Sequence, residues 1–259
     1  LLAAQRLLVS PGVSLEEPEL LQAGAAGIEI AGDMDLFCEL AEAPVVAITG
    51  SNAKSTVTDL LGVMAQASGR SVGVGGNLGI PALELLNPET DLYVIEMSSF
   101  QLERAGALNI DLAVLLNLSD DHIDRHGNLE NYRSAKQRVF YGASRAVINR
   151  DDDNSRPANG DIEVVSSFGL DAPEPGQFGL LEDNGELWLA RGSECLIAVH
   201  ELQLLGRHNY SNALACLALG TELGLNQAVM LQTLREYQGL PHRCELVADI
   251  DGVRYVNDS

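Results

Sequence analysis

The sequence predicts an α/β fold: a doubly wound, mostly parallel sheet with a small antiparallel patch, flanked by remnants of two further domains. Three observations carry this. Val45-Val46-Ala47-Ile48, Leu92-Tyr93-Val94-Ile95 and Leu112-Ala113-Val114-Leu115-Leu116 are short continuous apolar runs, as expected of strands covered on both faces. After the first run Val57, Leu60, Leu61, Met64 and Ala65 recur at the spacing of one helical face. Each run also ends in a polar or glycine-bearing loop, and open α/β sheets bind ligands at the carboxyl ends of their strands.

In chain order, Leu7-Leu8-Val9 before Ser10-Pro11-Gly12, a helix from Glu16 to Ala26 and a strand at Gly27-Ile28-Glu29-Ile30 form a β-turn-α-β fragment too small to stand alone. Asp33 to Ala43 is read as a bridge to the strand at Val45. That strand runs into Gly50-Ser51-Asn52-Ala53-Lys54-Ser55-Thr56. The stretch resembles a P-loop of ATPase type, in which helix N–H groups and a lysine attract phosphate and a hydroxyl holds Mg²⁺. It departs from G-x-x-x-x-G-K-[ST], with Ile48 and Ala53 where that pattern has glycine. An ordinary strand-to-helix connection with an exposed lysine remains the alternative. If the backbone at Ala53 needs positive φ, alanine costs about 1 kcal/mol relative to glycine.

Ser71 to Pro81 is expected to be a glycine-rich loop. Glu96, at the end of the second strong strand, stands where a nucleotide's Mg²⁺ finds an acidic ligand. The acidic run after the third strand, through Asp120, Asp121 and His122, reads on its own as a solvated loop. Leu129 to Tyr141 is an amphipathic helix carrying Lys136, followed by a strand at Ala146 to Asn149 and an extended Ile162 to Val165. Leu180 to Ala190 forms a hairpin around Asn184-Gly185, a type I′ signal. Cys195 to Leu202 adds a strand, giving an antiparallel patch beside the parallel sheet. Helices follow at Asn209 to Leu223 and Gln227 to Tyr237. Gly239-Leu240-Pro241 marks a boundary, and Glu245 to Ile250 with Val253 to Val256 flank Asp251-Gly252 as a further hairpin.

Lys+Arg 16 against Asp+Glu 37 gives a net charge of −21, which repels nucleic acid and anionic membranes. Any phosphate must be held by local donors. Cys38, Cys195, Cys216 and Cys244 form no CxxC pair, which fits reduced thiols better than zinc or a disulfide framework. No apolar run reaches the length of a membrane span, and no signal-peptide pattern is present. A cytoplasmic monomer is expected, and the absent initiating Met suggests an excerpt of a longer protein.

GSNAKST (50–56), GGNLGIPAL (75–83), EMSSFQLE (96–103), LNLSDDHIDRHG (116–127), YRSAK (132–136), GRHNYSNALA (206–215) and LPHR (240–243) together resemble the Mur ligase family, in its D-glutamate-adding branch. The family has glycine where this chain has Ala53. The resemblance implies the end of an amino-terminal UDP-substrate domain at 1–32, a central ATPase domain at 33–239 and the start of an amino-acid-binding domain at 240–259.

It further implies ATP-dependent addition of D-glutamate to UDP-N-acetylmuramoyl-L-alanine through an acyl phosphate, in peptidoglycan synthesis, with the excerpt alone inactive. Gly50 to Thr56 would cradle the phosphates, with Lys54 on the β- and γ-phosphates. Ser55 and Glu96 would hold one Mg²⁺, and His122 with a carbamylated Lys136 a second. Asn209 and Asn212 match positions on the adenine side, although Asn209 alone reads equally well as a helix N-cap. Arg243 and Asp258 match further nucleotide contacts. Asn77, Ser98, Gln101 and His242 match the muramoyl-alanine cleft, and Gly12 the uridine end. A sibling ligase for another amino acid and a non-catalytic nucleotide-binding module remain the alternatives.

Overall fold

The computed structural model describes residues 2–158, 162–204 and 206–240, together with the backbone of Glu245–Ile250 and Val253–Asn257. A first unit pairs β1 (Arg6–Leu8) with β2 (Glu29–Ala31) in parallel across α1 (Pro18–Ala25). Residues 33 to 40, read from sequence as part of a bridge, form a helix instead, α2 (Asp33–Leu40). Its signal is local: the Asp35 carboxylate accepts from the Gly32 N–H at 2.7 Å, and Met34, Phe37 and Cys38 at helical spacing are buried.

The central body follows as β3 (Val45–Thr49), α3 (Lys54–Ala67), β4 (Val72–Gly76), β5 (Leu92–Glu96), α4 (Ser99–Arg104), β6 (Ile110–Leu115), α5 (Ile123–His126), α6 (Leu129–Gln137), β7 (Ala143–Asn149) and β8 (Glu163–Phe168). It continues through β9 (Phe178–Asp183), β10 (Glu186–Arg191), β11 (Glu194–Ala198), α7 (Arg207–Glu222) and α8 (Gln227–Glu236). One nine-stranded sheet runs in the order β11-β10-β9-β8-β7-β6-β3-β5-β4. Pairs from β4 to β9 are parallel, and β9-β10-β11 are antiparallel. The antiparallel patch is therefore a continuation of the main sheet, joined through Phe168 and Phe178.

Alternation along the strands divides the core into two layers. Val46 and Ile48 join Val94 and Val114 in a cluster with Leu61 and Met64 of α3 and Leu214 and Leu217 of α7. Val45 and Ala47 face the opposite layer, with Phe37 of α2, Leu102 of α4 and Val139 just after α6. Both faces of β3 are thus covered, which is why it reads as an unbroken apolar run. The 184–185 hairpin has φ of 52° and 80° at Asn184 and Gly185, as a type I′ turn requires.

Several boundaries depart from the sequence reading. Half of the expected glycine-rich loop is β4, an edge strand whose glycines admit neighbours too close for side chains. Gly76 has φ 100°, and a Cβ there would lie 2.4 Å from the Glu96 carbonyl oxygen. The strand after the hairpin ends at Ala198 rather than Leu202, giving way to a short 3-10 turn at Val199–Glu201. Asn209 is not an N-cap. Gly206 holds that position and Asn209 lies in the first turn of α7. Glu245–Ile250 (β12) and Val253–Asn257 (β13) pair antiparallel as expected, while their turn, Asp251-Gly252, lies outside the described residues. No described helix is long and apolar enough to cross a membrane.

Gly76→Ala should destabilise the chain by about 2 kcal/mol or more, from positive-φ strain and overpacking together, whereas Gly12→Ala, which meets nothing within 4 Å, should be neutral; urea unfolding compares them.

Candidate functional site

The turn from β3 to α3 is built from the end of β6. The Leu116 N–H donates to the Thr49 carbonyl at 2.8 Å and the Ser51 N–H to the Asn117 carbonyl at 3.0 Å, carrying the ladder past the strand. The Asn117 side chain then grips the turn on both sides, accepting from the Asn52 N–H at 2.9 Å and donating to the Asn52 carbonyl at 3.2 Å. Ser51 Oγ donates to the Ser119 carbonyl at 3.1 Å, accepts from the Ser119 N–H at 3.0 Å, and lies 3.2 Å from the Tyr132 hydroxyl. Gly50 keeps this approach close: a Cβ there would lie 3.1 Å from Leu116 Cβ and 3.2 Å from the Asn52 carbonyl oxygen.

Ala53 adopts φ 65° and ψ −1° at the N-cap of α3. The condition attached to this residue is met: alanine takes the left-handed conformation that glycine tolerates better. Val57 N–H is bonded to the Ala53 carbonyl at 3.0 Å, so the helix begins with its earliest N–H groups ahead of any intrahelical acceptor, an anion-attracting end. Ser55 is buried in this first turn, and Lys54 Nζ donates back to the Ser51 carbonyl at 3.0 Å.

Beneath the turn lies Lys136, only 1% exposed. Its ammonium donates to the Gly50 carbonyl at 2.7 Å and approaches Thr49 Oγ1 at 3.4 Å, and it sits 4.8 Å over the Tyr132 ring. Burial, assisted by Lys54, lowers its pKa to about 7 against the opposing pull of Asp121 and Glu96. Lys136 thus belongs to the interior of the domain and not to the exposed face of its helix.

Glu96 closes β5 in register with Ile48 of β3 and Gly76 of β4, and is 1% exposed. One carboxylate oxygen accepts from Asn77 Nδ2 at 2.7 Å, whereas Oε2 is buried without a protein partner. A buried carboxylate oxygen left this way fits a cation. Among the described residues no group of three His, Cys, Asp or Glu forms a metal cage.

His122 is half exposed and held at φ 51°, its Nε2 3.5 Å from Asp121. It joins an aromatic cluster with Phe100, Tyr132 and buried His126, whose Nε2 lies 3.0 Å from Ser99 Oγ. Burial lowers the His126 pKa. Ser98 and Gln101 are engaged with one another as the capping box of α4, and Gln101 Nε2 donates to Asp33 at 2.9 Å. Gly12 is exposed in the turn after β1. On the other side of the phosphate-type turn, a cleft of about 460 Å³ is lined by Asn52, Ala53, Thr56, Asn117, Asn209 and Asn212, with apolar Leu170 and Leu204. Arg243, Asp258 and His242 lie outside the described residues.

The structure thus brings together Gly50 to Thr56, Glu96 and Lys136, sets Asn209 and Asn212 on the adjoining cleft, and leaves Gly12 apart. Sequence reading missed Tyr132, Asn117 and Ser119. Tyr132 had a usable signal, since it lies four residues before Lys136 on one helical face.

An open, doubly wound sheet with its lysine-bearing turn and buried carboxylate at neighbouring strand ends places the chain among the α/β domains that bind ligands at strand carboxyl ends. The family model of the Mur ligase middle domain matches residues 48–220, and the chain belongs to the Mur ligase family. Over its whole length it is 52% identical to the UDP-N-acetylmuramoylalanine--D-glutamate ligases of Acinetobacter baylyi and of Pseudomonas aeruginosa. It spans 58% of the length of each. Among solved structures, UDP-N-acetylmuramate-alanine ligase MurC from Thermotoga maritima matches with a TM-score of 0.66 at 22% identity, covering 98% of this chain and 60% of that one. MurF from Acinetobacter baumannii matches at 0.69 and 20% identity, covering 90% and 56%. These last two likenesses bear on the fold.

Ala53→Gly should stabilise the chain by about 1 kcal/mol in urea unfolding, by relieving the left-handed strain. Lys136 gives a pH signature. Its folded pKa of about 7 lies below the ordinary 10.5, so between these values the unfolded chain binds a proton that the folded one does not, and stability rises with pH. In CO₂-free buffer Lys136→Met should therefore hold its largest stability advantage over the unmodified chain near pH 6.5. That advantage should shrink by up to about 1.4 kcal/mol per pH unit toward pH 9.5.

Proposed function

We propose that the chain is the catalytic core of an ATP- and Mg²⁺-dependent ligase that adds D-glutamate to UDP-N-acetylmuramoyl-L-alanine in peptidoglycan synthesis. The observation that carries this is the buried Glu96 with one oxygen unpartnered, beside the turn of Gly50 to Thr56 and over the same strand ends as Lys136. Identity of 52% along the whole chain to ligases of that name supports the choice of amino acid. Residues 1–32 and 240–259 are assigned to flanking domains that bind the UDP end and D-glutamate, and 33–239 to the ATPase domain, acting in the cytoplasm as a monomer.

In this reading the substrate carboxylate attacks the γ-phosphorus of ATP and expels ADP, giving an acyl phosphate. The amine of D-glutamate then adds to the acyl carbon, loses a proton, and the tetrahedral intermediate expels phosphate. The chain's task is to bring anions together. The start of α3 and Lys54 receive the phosphates, with Ser51, Asn52, Ala53 and Thr56 shaping the turn. Ser55 and Glu96 would hold one Mg²⁺, and His122 with carbamylated Lys136 a second; when bound, these ions supply charge neutralisation at the transferring phosphoryl group. A lysine with a pKa of about 7 has a large neutral fraction at physiological pH, the form that adds to CO₂. Asn209 and Asn212 are assigned to the adenine side of the cleft, joined by Arg243 and Asp258. Asn77, Ser98, Gln101 and His242 are assigned to the muramoyl-alanine end and Gly12 to the uridine end.

With the protein extended to the length of its relatives, D-glutamate should selectively stimulate phosphate release from ATP in the presence of UDP-N-acetylmuramoyl-L-alanine, with amide product. Glu96→Ala should reduce release by about 10²-fold or more. Selective stimulation by another amino acid would reassign the substrate, and nucleotide binding without any release would overturn the ligase reading.

A further inference from the structure

Arg104 is the last residue of α4, 5% exposed, and makes no ion pair among the described residues. Its Nε is buried without a partner. A buried, unpaired guanidinium is costly, so what it touches explains its place. Nη1 donates to the Ser10 carbonyl at 2.9 Å and Nη2 to the Val13 carbonyl at 2.7 Å. These carbonyls belong to the first and last residues of a single turn, closed by the Val13 N–H on the Ser10 carbonyl at 3.0 Å. One rigid planar fork therefore holds a whole turn, a geometry that a lysine's point charge does not reproduce.

The other end of this connection is equally fixed. The helix α4 begins three residues after Glu96, is capped by Ser98 and Gln101, and is tied to α2 by the Gln101 bond to Asp33. Just past Arg104, the Gly106 N–H donates to Asp35 at 2.7 Å. The side chain of Arg104 also fills the space beside Gly32, where a Cβ would meet its Cγ at 3.1 Å. The turn of residues 10–13 is thus clamped to the element that starts at the phosphate side of the sheet.

We infer that Arg104 is a positioning residue that keeps the Ser10-to-Val13 turn in the place where it receives the nucleoside-diphosphate end of the substrate, at a set separation from Glu96. The inference rests on the ligase reading above and assigns a role to a residue outside its site. Releasing the turn lowers the fraction of binding-competent protein and leaves the phosphate turn untouched, so the loss falls on the apparent affinity for one substrate.

The test uses the full-length protein with Arg104→Met and Arg104→Lys, read by steady-state phosphate release and by hydrogen exchange at the Val13 amide. Arg104→Met should raise KM for UDP-N-acetylmuramoyl-L-alanine about tenfold, with KM for ATP and kcat within about twofold. Exchange at Val13 should quicken to match. Arg104→Lys, which retains charge and fills similar volume, should show the same split at several-fold and serves if the methionine variant fails to fold. Full recovery by lysine, a change in kcat without one in KM, or unaltered KM and exchange would each overturn the inference. If the unmodified protein shows no D-glutamate-dependent release, the ligase reading fails instead, and Val13 exchange still decides whether Arg104 clamps the turn.

Discussion

The hydrogen bond from Lys136 to the Gly50 carbonyl is the constraint on which the rest of the site depends. It puts a buried amine, 1% exposed, under the backbone of the β3-to-α3 turn. The turn in return gives the lysine its principal acceptor. Tyr132 ties the two together, with its hydroxyl at Ser51 and its ring beneath the ammonium. Because Asn117 and Ser119 hold the same turn from β6, the phosphate-type loop has little freedom of its own. It is a surface feature with a core's rigidity, as electrostatic preorganisation requires.

The fold was legible where periodicity was unambiguous. The three apolar runs became β3, β5 and β6, side by side in the parallel part of the sheet, and Asn184-Gly185 became the turn its residue types demand. The helix α2 was hidden by its brevity and by acidic residues that resemble a linker, although they serve as its first-turn cap. The strand β4 was hidden by its glycines, which signal flexibility in isolation and close approach to Glu96 and Ile80 in the sheet. Asn209 shows the converse error, a residue type suited to a cap that sits inside the helix because Gly206 takes the sharp backbone change.

For the site, the strand-end pattern pointed to the turn and to Glu96, and the family resemblance alone pointed to Lys136; the structure sets the three close together. What spacing could not reveal was environment. That Lys136 is buried, that a Glu96 oxygen lacks a partner and that Ala53 has positive φ are properties of packing between segments up to 87 residues apart in sequence. The second layer, Asn117, Ser119 and Tyr132, was invisible for the same reason: ordinary polar residues acquire roles only once β6 and α6 are placed against the turn.

The order of strands also bears on how the chain is made. The strand β3 pairs with β5 and β6 and never with its sequence neighbours β2 or β4. The helix α3 completes its apolar contacts only once α7, which begins at Arg207, and α8 are in place. During synthesis the Val45-to-Thr49 segment therefore leaves the ribosome with neither ladder partner available and waits for much of the remaining chain. Long-range parallel pairing of this kind is slow and exposes strand edges. This apolar segment is thus vulnerable during translation, and the interval before α7 emerges is when a chaperone has most to protect.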